Sequence, residues 1–367
     1  MKRRGFTLIE LLAVIVILAI IALIATPIVL DIIEDSKNSS IKRSIELYAD
    51  AVENSVAKAQ LNGNVVPSGK YTTTDEKTLT NGETTIKVDY DGAKTVCDVV
   101  ISNKGNIYLE NCSVNDKNVE YTYGDVIYYN GKVVYFNVDT GEKCDNYTET
   151  QSNTGVKSGC MKFYAFNYDG GDTVNLVLDH NTTALVAWNS SGSNASGPKE
   201  VLTQLNDDTK TWVGTETPSN YTMDQTGQKS NAKYTIDYSG YKARLITAQE
   251  VAQITGNTTW DERTASSYYY LDSKTTTIST TCTSGNTTGC KYGWLYDRTS
   301  KNCTTYGCLN NSDQETYSYW TASSYADNSD YAWHVHFYAN VFLGSVVRLD
   351  SRRGVRPVIT ILKSNLS

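Results

Sequence analysis

Histidine is scarce in this chain of 367 residues, which holds three: His180, His334 and His336. Little is therefore available for imidazole metal centres or proton relays. His334 and His336 stand two apart on an expected strand and would share a face, but a metal would need a third ligand such as Asp327, Asp330 or Asp350. The residues favour exposed side chains on a binding face, with no metal and no cofactor. A phosphate-cradling glycine loop, a nucleophile elbow and a zinc-protease helix are all missing, and Asp297 and Asp330 lack an acid–base partner pattern. Positive charge is also short: the formal net charge is −7, and loss of Lys2, Arg3 and Arg4 would leave three fewer positive charges, −10. That balance excludes holding nucleic acid by its phosphates, so no nucleic-acid partner is expected. Phenylalanine, proline and methionine are few, whereas tyrosine reaches 27. Tyrosine supplies apolar area with a wettable tip, which suits a β-rich body facing water.

No cysteine precedes residue 90, and the eight present fall into close pairs: Cys97 with Cys112, Cys144 with Cys160, Cys282 with Cys290, Cys303 with Cys308. An even count in an exported chain reads as disulfides that staple hairpins and loops, with connectivity left open by sequence. The alternatives are free thiols or a zinc site in the last four. Their spacings, seven and four intervening residues instead of two, fit a zinc knuckle poorly.

What the chain does have is a long apolar run at its start, MKRRGFTLIELLAVIVILAIIALIATPIVL. Every residue from Leu11 to Ala25 is apolar. About twenty helical residues span roughly 30 Å, the thickness of a bilayer's hydrocarbon core. The basic residues ahead of the run would stay in the cytoplasm and send the bulk of the chain outward. Glu10 stands out inside it, because an ionised carboxylate among Phe6, Leu8, Ile9, Leu11 and Leu12 is costly unless it has a partner. A secretory signal peptide or a plain anchor would account for the basic start but not for Glu10.

GFTLIE, preceded by Lys and Arg and followed by an unbroken apolar helix, resembles the type IV prepilin cleavage and methylation signal. The resemblance implies that a prepilin peptidase cuts after Gly5 and methylates Phe6, and that Glu10 pairs with the terminal amine of a neighbouring pilin subunit during assembly. Two opposite charges that are costly apart in a low dielectric would neutralise each other as subunits stack. It also implies residence in the plasma membrane with the head outside, then in a cell-surface filament.

Beyond the run the helical pattern continues. Ile41, Ile45, Tyr48, Ala49, Val52, Val56 and Ala59 recur at three- and four-residue steps, which predicts one stripe buried on a sheet. Asn62-Gly63 reads as the stop, and Pro27 as a kink or loosening inside the helix. Short alternating runs at Thr84–Tyr90, Val96–Ser102 and Asn106–Glu110 predict strands of a small antiparallel head. Further on, Val126–Tyr129, Lys132–Asn137, Cys160–Asn167, Val174–Asp179 and Leu185–Trp188 read as strands. Tyr241–Ile254 reads as a helix, with Thr247 and Glu250 as a capping box.

Five later segments, ARLITAQE (Ala243–Glu250), GWLYD (Gly293–Asp297), YWTASS (Tyr319–Ser324), AWHV (Ala332–Val335) and GVRPVI (Gly354–Ile359), occur in an order similar to bacterial C-type-lectin-like domains, among them formylglycine-generating-enzyme-like domains. Trp294, Trp320 and Trp333 suit a loop-rich core, Gly354 a tight approach, and Arg356 a buried or half-buried ion pair. Formylglycine-type activity would require a reactive cysteine pair, whereas these cysteines read as staples, so no enzyme is expected. Lectin-like folds often use calcium and carboxylates are plentiful here, which leaves calcium open as an alternative, although its loop signatures are absent.

The resulting expectation is an α+β chain: a leader at 1–5, a transmembrane and packing helix at 6–62, a small β head at 63–124, and a C-type-lectin-like binding domain at 125–367. His334, His336, Tyr338 and Asn340 would line one exposed strand face, continued by Arg348 and Asp350, and would meet an extracellular glycan or protein. The plainer alternative is a hairpin with Phe337, Val341 and Val347 in the core and a merely wet polar face. Function reads as a minor or tip-type pilin displaying a binding domain; the alternatives are a shaft subunit or a pseudopilin of a secretion or DNA-uptake machine. Mass spectrometry of the N-terminal peptide from surface filaments should find a chain beginning at methylated Phe6. A mature chain starting beyond residue 20 would contradict that reading.

Overall fold

A computed structural model of the chain describes residues 8–75, 77–102, 105–151, 157–182, 185–257, 259–266, 292–295, 318–335, 342–346 and 352–366. Gly5, Phe6, His336, Tyr338, Asn340, Arg348, Asp350, Cys282, Cys290, Cys303 and Cys308 lie outside the described residues, as do Phe337, Val341 and Val347. The chain divides into two compact units, Met1–Ile127 and Tyr128–Ser367, where the sequence suggested a boundary at 124/125.

The first unit is built on α1 (Leu8–Leu61). Its described side chains from Leu8 to Ser40 are all exposed. Among the described residues no helix is long and apolar enough to cross a membrane.

From Ile45 the helix changes character. Ile45, Tyr48, Ala49, Val52 and Val56 are buried at the expected three- and four-residue steps. They pack on β1 (Gly69–Asp75), β2 (Thr78–Thr80), β3 (Thr85–Lys87), β4 (Thr95–Ile101) and β5 (Ile107–Val114), whose inward residues include Tyr71, Leu79, Ile86, Val99 and Leu109. With β6 (Lys117–Asn118) the antiparallel order is β3-β2-β1-β4-β5-β6. The helix stops as expected: Gly63 takes φ +80°, its N–H bonds Gln60 O (3.0 Å), and Asn64 N–H bonds Ala59 O (3.1 Å). These two bonds satisfy carbonyls that the last turn would otherwise leave open. Cys97 and Cys112 are joined across β4 and β5, with Cα atoms 4.1 Å apart.

The second unit begins with β7 (Val133–Asn137), β8 (Glu142–Lys143), β9 (Thr150–Gln151), β10 (Lys157–Ser158), β11 (Cys160–Phe166) and β12 (Thr173–Leu178). Then come α2 (Lys199–Thr209), the hairpin β13 (Tyr221–Asp224) and β14 (Lys233–Ile236), α3 (Ala248–Ile254), β15 (Tyr319–Ser324), β16 (Tyr331–Val335), β17 (Phe342–Val346) and β18 (Val358–Leu362). The central sheet runs β18-β12-β11-β7-β8, and β15-β16-β17 form a second. Tyr164, Phe166, Val177 and Val358 from the central sheet share a core with Val251 and Ile254 of α3 and with Tyr319 and Trp333. A second disulfide, Cys144–Cys160, ties the segment after β8 to the start of β11.

Three sequence expectations are corrected here. The helix expected from Tyr241 starts at Ala248, because Arg244 pairs with Val358 as a β-bridge and Ile246 O accepts from Ala322 N–H. Leu245 and Ile246 are buried, and extended backbone satisfies their polar groups against neighbours on both sides. Leu185–Trp188 is not a strand; Val186 makes an isolated bridge with Arg353. Val126–Tyr129 is irregular, straddling the boundary between the units.

Truncating Leu109, fully buried between α1 and the sheet, should cost the first unit about 3 kcal/mol, the usual range for a buried leucine. Denaturant titration of Leu109→Ala in detergent, followed by circular dichroism, checks this; an unchanged midpoint would contradict it.

Candidate functional site

Glu10 lies in the first turn of α1, exposed. A carboxylate there complements the positive end of the helix dipole and is accessible to a neighbouring chain.

The second unit holds its chemistry inside. His334, expected on the exposed face, is fully buried on β16, with its ring 5.7 Å from that of Trp320. The expectation failed because β16 lies between β15 and β17 and buries Ala332, Trp333, His334 and Val335 in succession, so two-residue alternation did not separate wet from dry. The described partners of Arg356 are also not the ion pair expected. Its guanidinium donates to the main-chain carbonyls of Leu178 (2.6 Å), Leu295 (2.6 Å), Trp294 (2.7 Å) and Asp179 (2.9 Å), and lies 5.1 Å from the Tyr319 ring. Five donors in a rigid fork suit this work, and a lysine could not do it. Gly354 permits the expected close approach: a Cβ there would overlap the side-chain amide of buried Asn181, which donates to Ser318 O (3.1 Å).

Two buried carboxylate networks escaped the sequence reading. Glu262 is buried where α3, β13 and β15 meet. Its Oε1 accepts from Tyr221 Oη (2.8 Å), and its Oε2 from Gln249 N–H (2.9 Å) and Ser323 Oγ (2.5 Å). Burial pushes its carboxyl above the usual value, with these hydrogen bonds offsetting part of the effect. The second network joins Glu149, Lys157, His180 and Asp179. Lys157 Nζ is 2.5 Å from Glu149 Oε1, and His180 Nε2 is 3.0 Å from the same oxygen. Burial alone would raise both acids, but His180 and Lys157 hold Glu149 below the usual value, and His180 and Lys162 hold Asp179 well below it. Asp208, buried beside Thr182 and Gln204, is pushed up by burial. Glu149, Lys157 and His180 belong to three separate short segments of the sequence, so nothing marked them as neighbours.

Residues 1–26 match the prokaryotic N-terminal methylation motif. The motif supports a type IV pilin-like or pseudopilin subunit, processed by a prepilin peptidase and assembled with other pilin subunits. It implies a membrane-anchored chain that moves to the pilus surface. No curated protein and no solved structure matches the chain.

Because the fold favours protonated Glu262, that contribution is complete in acid and is lost as pH rises through the raised folded-state value. Glu262→Gln keeps the shape without the ionisation and should raise Tm at about pH 8 while changing it little at about pH 4. Thermal scans at both pH values decide; a variant less stable at the higher pH would show that the charged form is the one preferred.

Proposed function

We propose that this chain is a minor or tip-type type IV pilin whose second unit, Tyr128–Ser367, is an extracellular binding unit. The observation that carries the reading is a division of labour along the chain. The methylation motif heads a helix that folds with its own six-stranded sheet, while the larger remainder of the chain builds a second unit with a separate core. In this reading residues 6–30 hold the chain in the plasma membrane before assembly. Glu10 then docks against the amine of a neighbouring subunit.

A shaft repeats one subunit at every position, and a unit of this size repeated there would crowd the lattice. A low-copy place in the filament avoids that. The second unit is read as C-type-lectin-like and not as an enzyme. Supporting this are the buried tryptophans Trp320 and Trp333, the Gly354 approach and the Arg356 clamp, all falling in the segments whose order suggested that fold. Its ligand is a glycan or a protein outside the cell. Recognition is assigned to His336, Tyr338, Asn340, Arg348 and Asp350, without His334.

Quantitative mass spectrometry of purified filaments should find this chain as a small fraction of the most abundant pilin. In parallel, Tyr338→Ala with Arg348→Ala should reduce filament binding to whole target cells by tenfold or more without altering the subunit's thermal stability. If it is the most abundant subunit, or if binding survives both changes, the minor binding role is wrong.

A further inference from the structure

Just before β11, an amine, a carboxyl and an imidazole are shut away from water together. The side chains of Lys157 and Glu149 are 0% and 1% exposed, and their Nζ and Oε1 atoms are 2.5 Å apart. His180 Nε2 stands 3.0 Å from that Oε1 and 3.1 Å from Nζ, in reach of both. The other carboxylate oxygen, Oε2, accepts from Tyr147 Oη at 2.6 Å. Across the imidazole, Asp179 Oδ2 lies 3.8 Å from Nδ1. Backbone pairing fixes the approach, since Lys157 pairs with Gln151 and Ser158 with Thr150 in β10 and β9. Glu149 stands directly before β9, one residue from Thr150.

A buried ion pair made of flexible side chains gains little over neutral groups, because both charges have lost their water. Here the two groups are also held for reaction: a positioned amine and carboxyl behave as if at an effective concentration of about 10⁵ M or more. We infer that Lys157 and Glu149 condense to an amide, giving the second unit an internal side-chain cross-link.

The chemistry closes without any co-reactant. Before reaction the pair rests as ammonium and carboxylate, and the reactive form arises when a proton passes from Nζ to Oε1. The neutral amine then attacks Cδ and forms the N–C bond. His180 Nε2 takes the second proton from Nζ and returns it to Oε1, the Cδ–Oε1 bond breaks, and that oxygen leaves as water. Oε2 stays as the amide carbonyl, still accepting from Tyr147, whose hydroxyl stabilises the negative charge that gathers there during attack. One ammonium and one carboxylate become one amide and one water, and two buried charges disappear.

The test is peptide mapping of the full-length chain, isolated from membranes or filaments, reduced, denatured and cut with a lysine-specific protease. A cross-linked chain yields an uncut Cys144–Lys162 peptide lighter by one water than its sequence, because the bonded Lys157 resists cleavage. Lys157→Arg preserves the positive charge but should give the same uncut peptide at full mass. Recovery of separate Cys144–Lys157 and Ser158–Lys162 peptides from the natural chain would overturn the inference, as would the same water loss in Lys157→Arg.

Discussion

The first unit depends on one interface: the stripe Ile45, Tyr48, Ala49, Val52 and Val56 against the inner face of the sheet. Each partner has an apolar face that the other covers. A helix in water gains most of its stability from packing an apolar face, and a sheet with one apolar face must cover it. Tyr48 shows how closely the two surfaces are matched, with its ring edge-on to Tyr90 at 5.1 Å and its hydroxyl 3.4 Å from Thr73 Oγ1. The disulfide between β4 and β5 then fixes the strands that carry Val99 and Leu109, two of the residues this stripe meets. Above the stripe the same helix exposes its described side chains from Leu8 to Ser40, where the methylation motif calls for contact with membrane and fellow subunits. One continuous helix therefore serves two packing partners.

The second unit is organised differently. Its described loops are held by buried polar groups that bond main chain: Arg356 gathers four carbonyls, Asn194 Nδ2 lies within 3.2 Å of three, and Glu262 joins α3 to strands β13 and β15. Such groups cost stability unless every partner is present, and once satisfied they permit one loop arrangement and few others. An irregular chain with a rigid interior is a suitable base for a binding surface, because fixed loops lose less entropy when a ligand arrives.

Much of the first unit was legible because its signals are local. The helix stripe and the Gly63 stop follow from spacing along the chain, whereas the Cys97–Cys112 bond settles a connectivity that the sequence left open. Strands β1 and β2 were missed because each offers one fully buried apolar residue, Tyr71 in GKYTTTD and Leu79 in TLT, too few for an alternation to register. In the second unit the capping box at Thr247 and Glu250 was legible for the same local reason, whereas α2 was overlooked despite Val201 and Leu205 at a four-residue step. The misplacement of His334 and the unseen Glu149–Lys157–His180 cluster share another cause. Both depend on which strands lie side by side, and no periodicity within one segment reports that.

The central claim is that the N-terminal helix is half filament element and half structural member of the first unit. Hydrogen–deuterium exchange on the full-length chain in detergent addresses it at residue resolution. Amides from Ile45 to Val56 should exchange as slowly as those of β4 and β5, because all must open together, and Val52→Asp should speed both sets alike. If the helix amides exchanged faster than those of the sheet, or the substitution affected the helix alone, the helix and sheet would not be one cooperative unit and the account would fail.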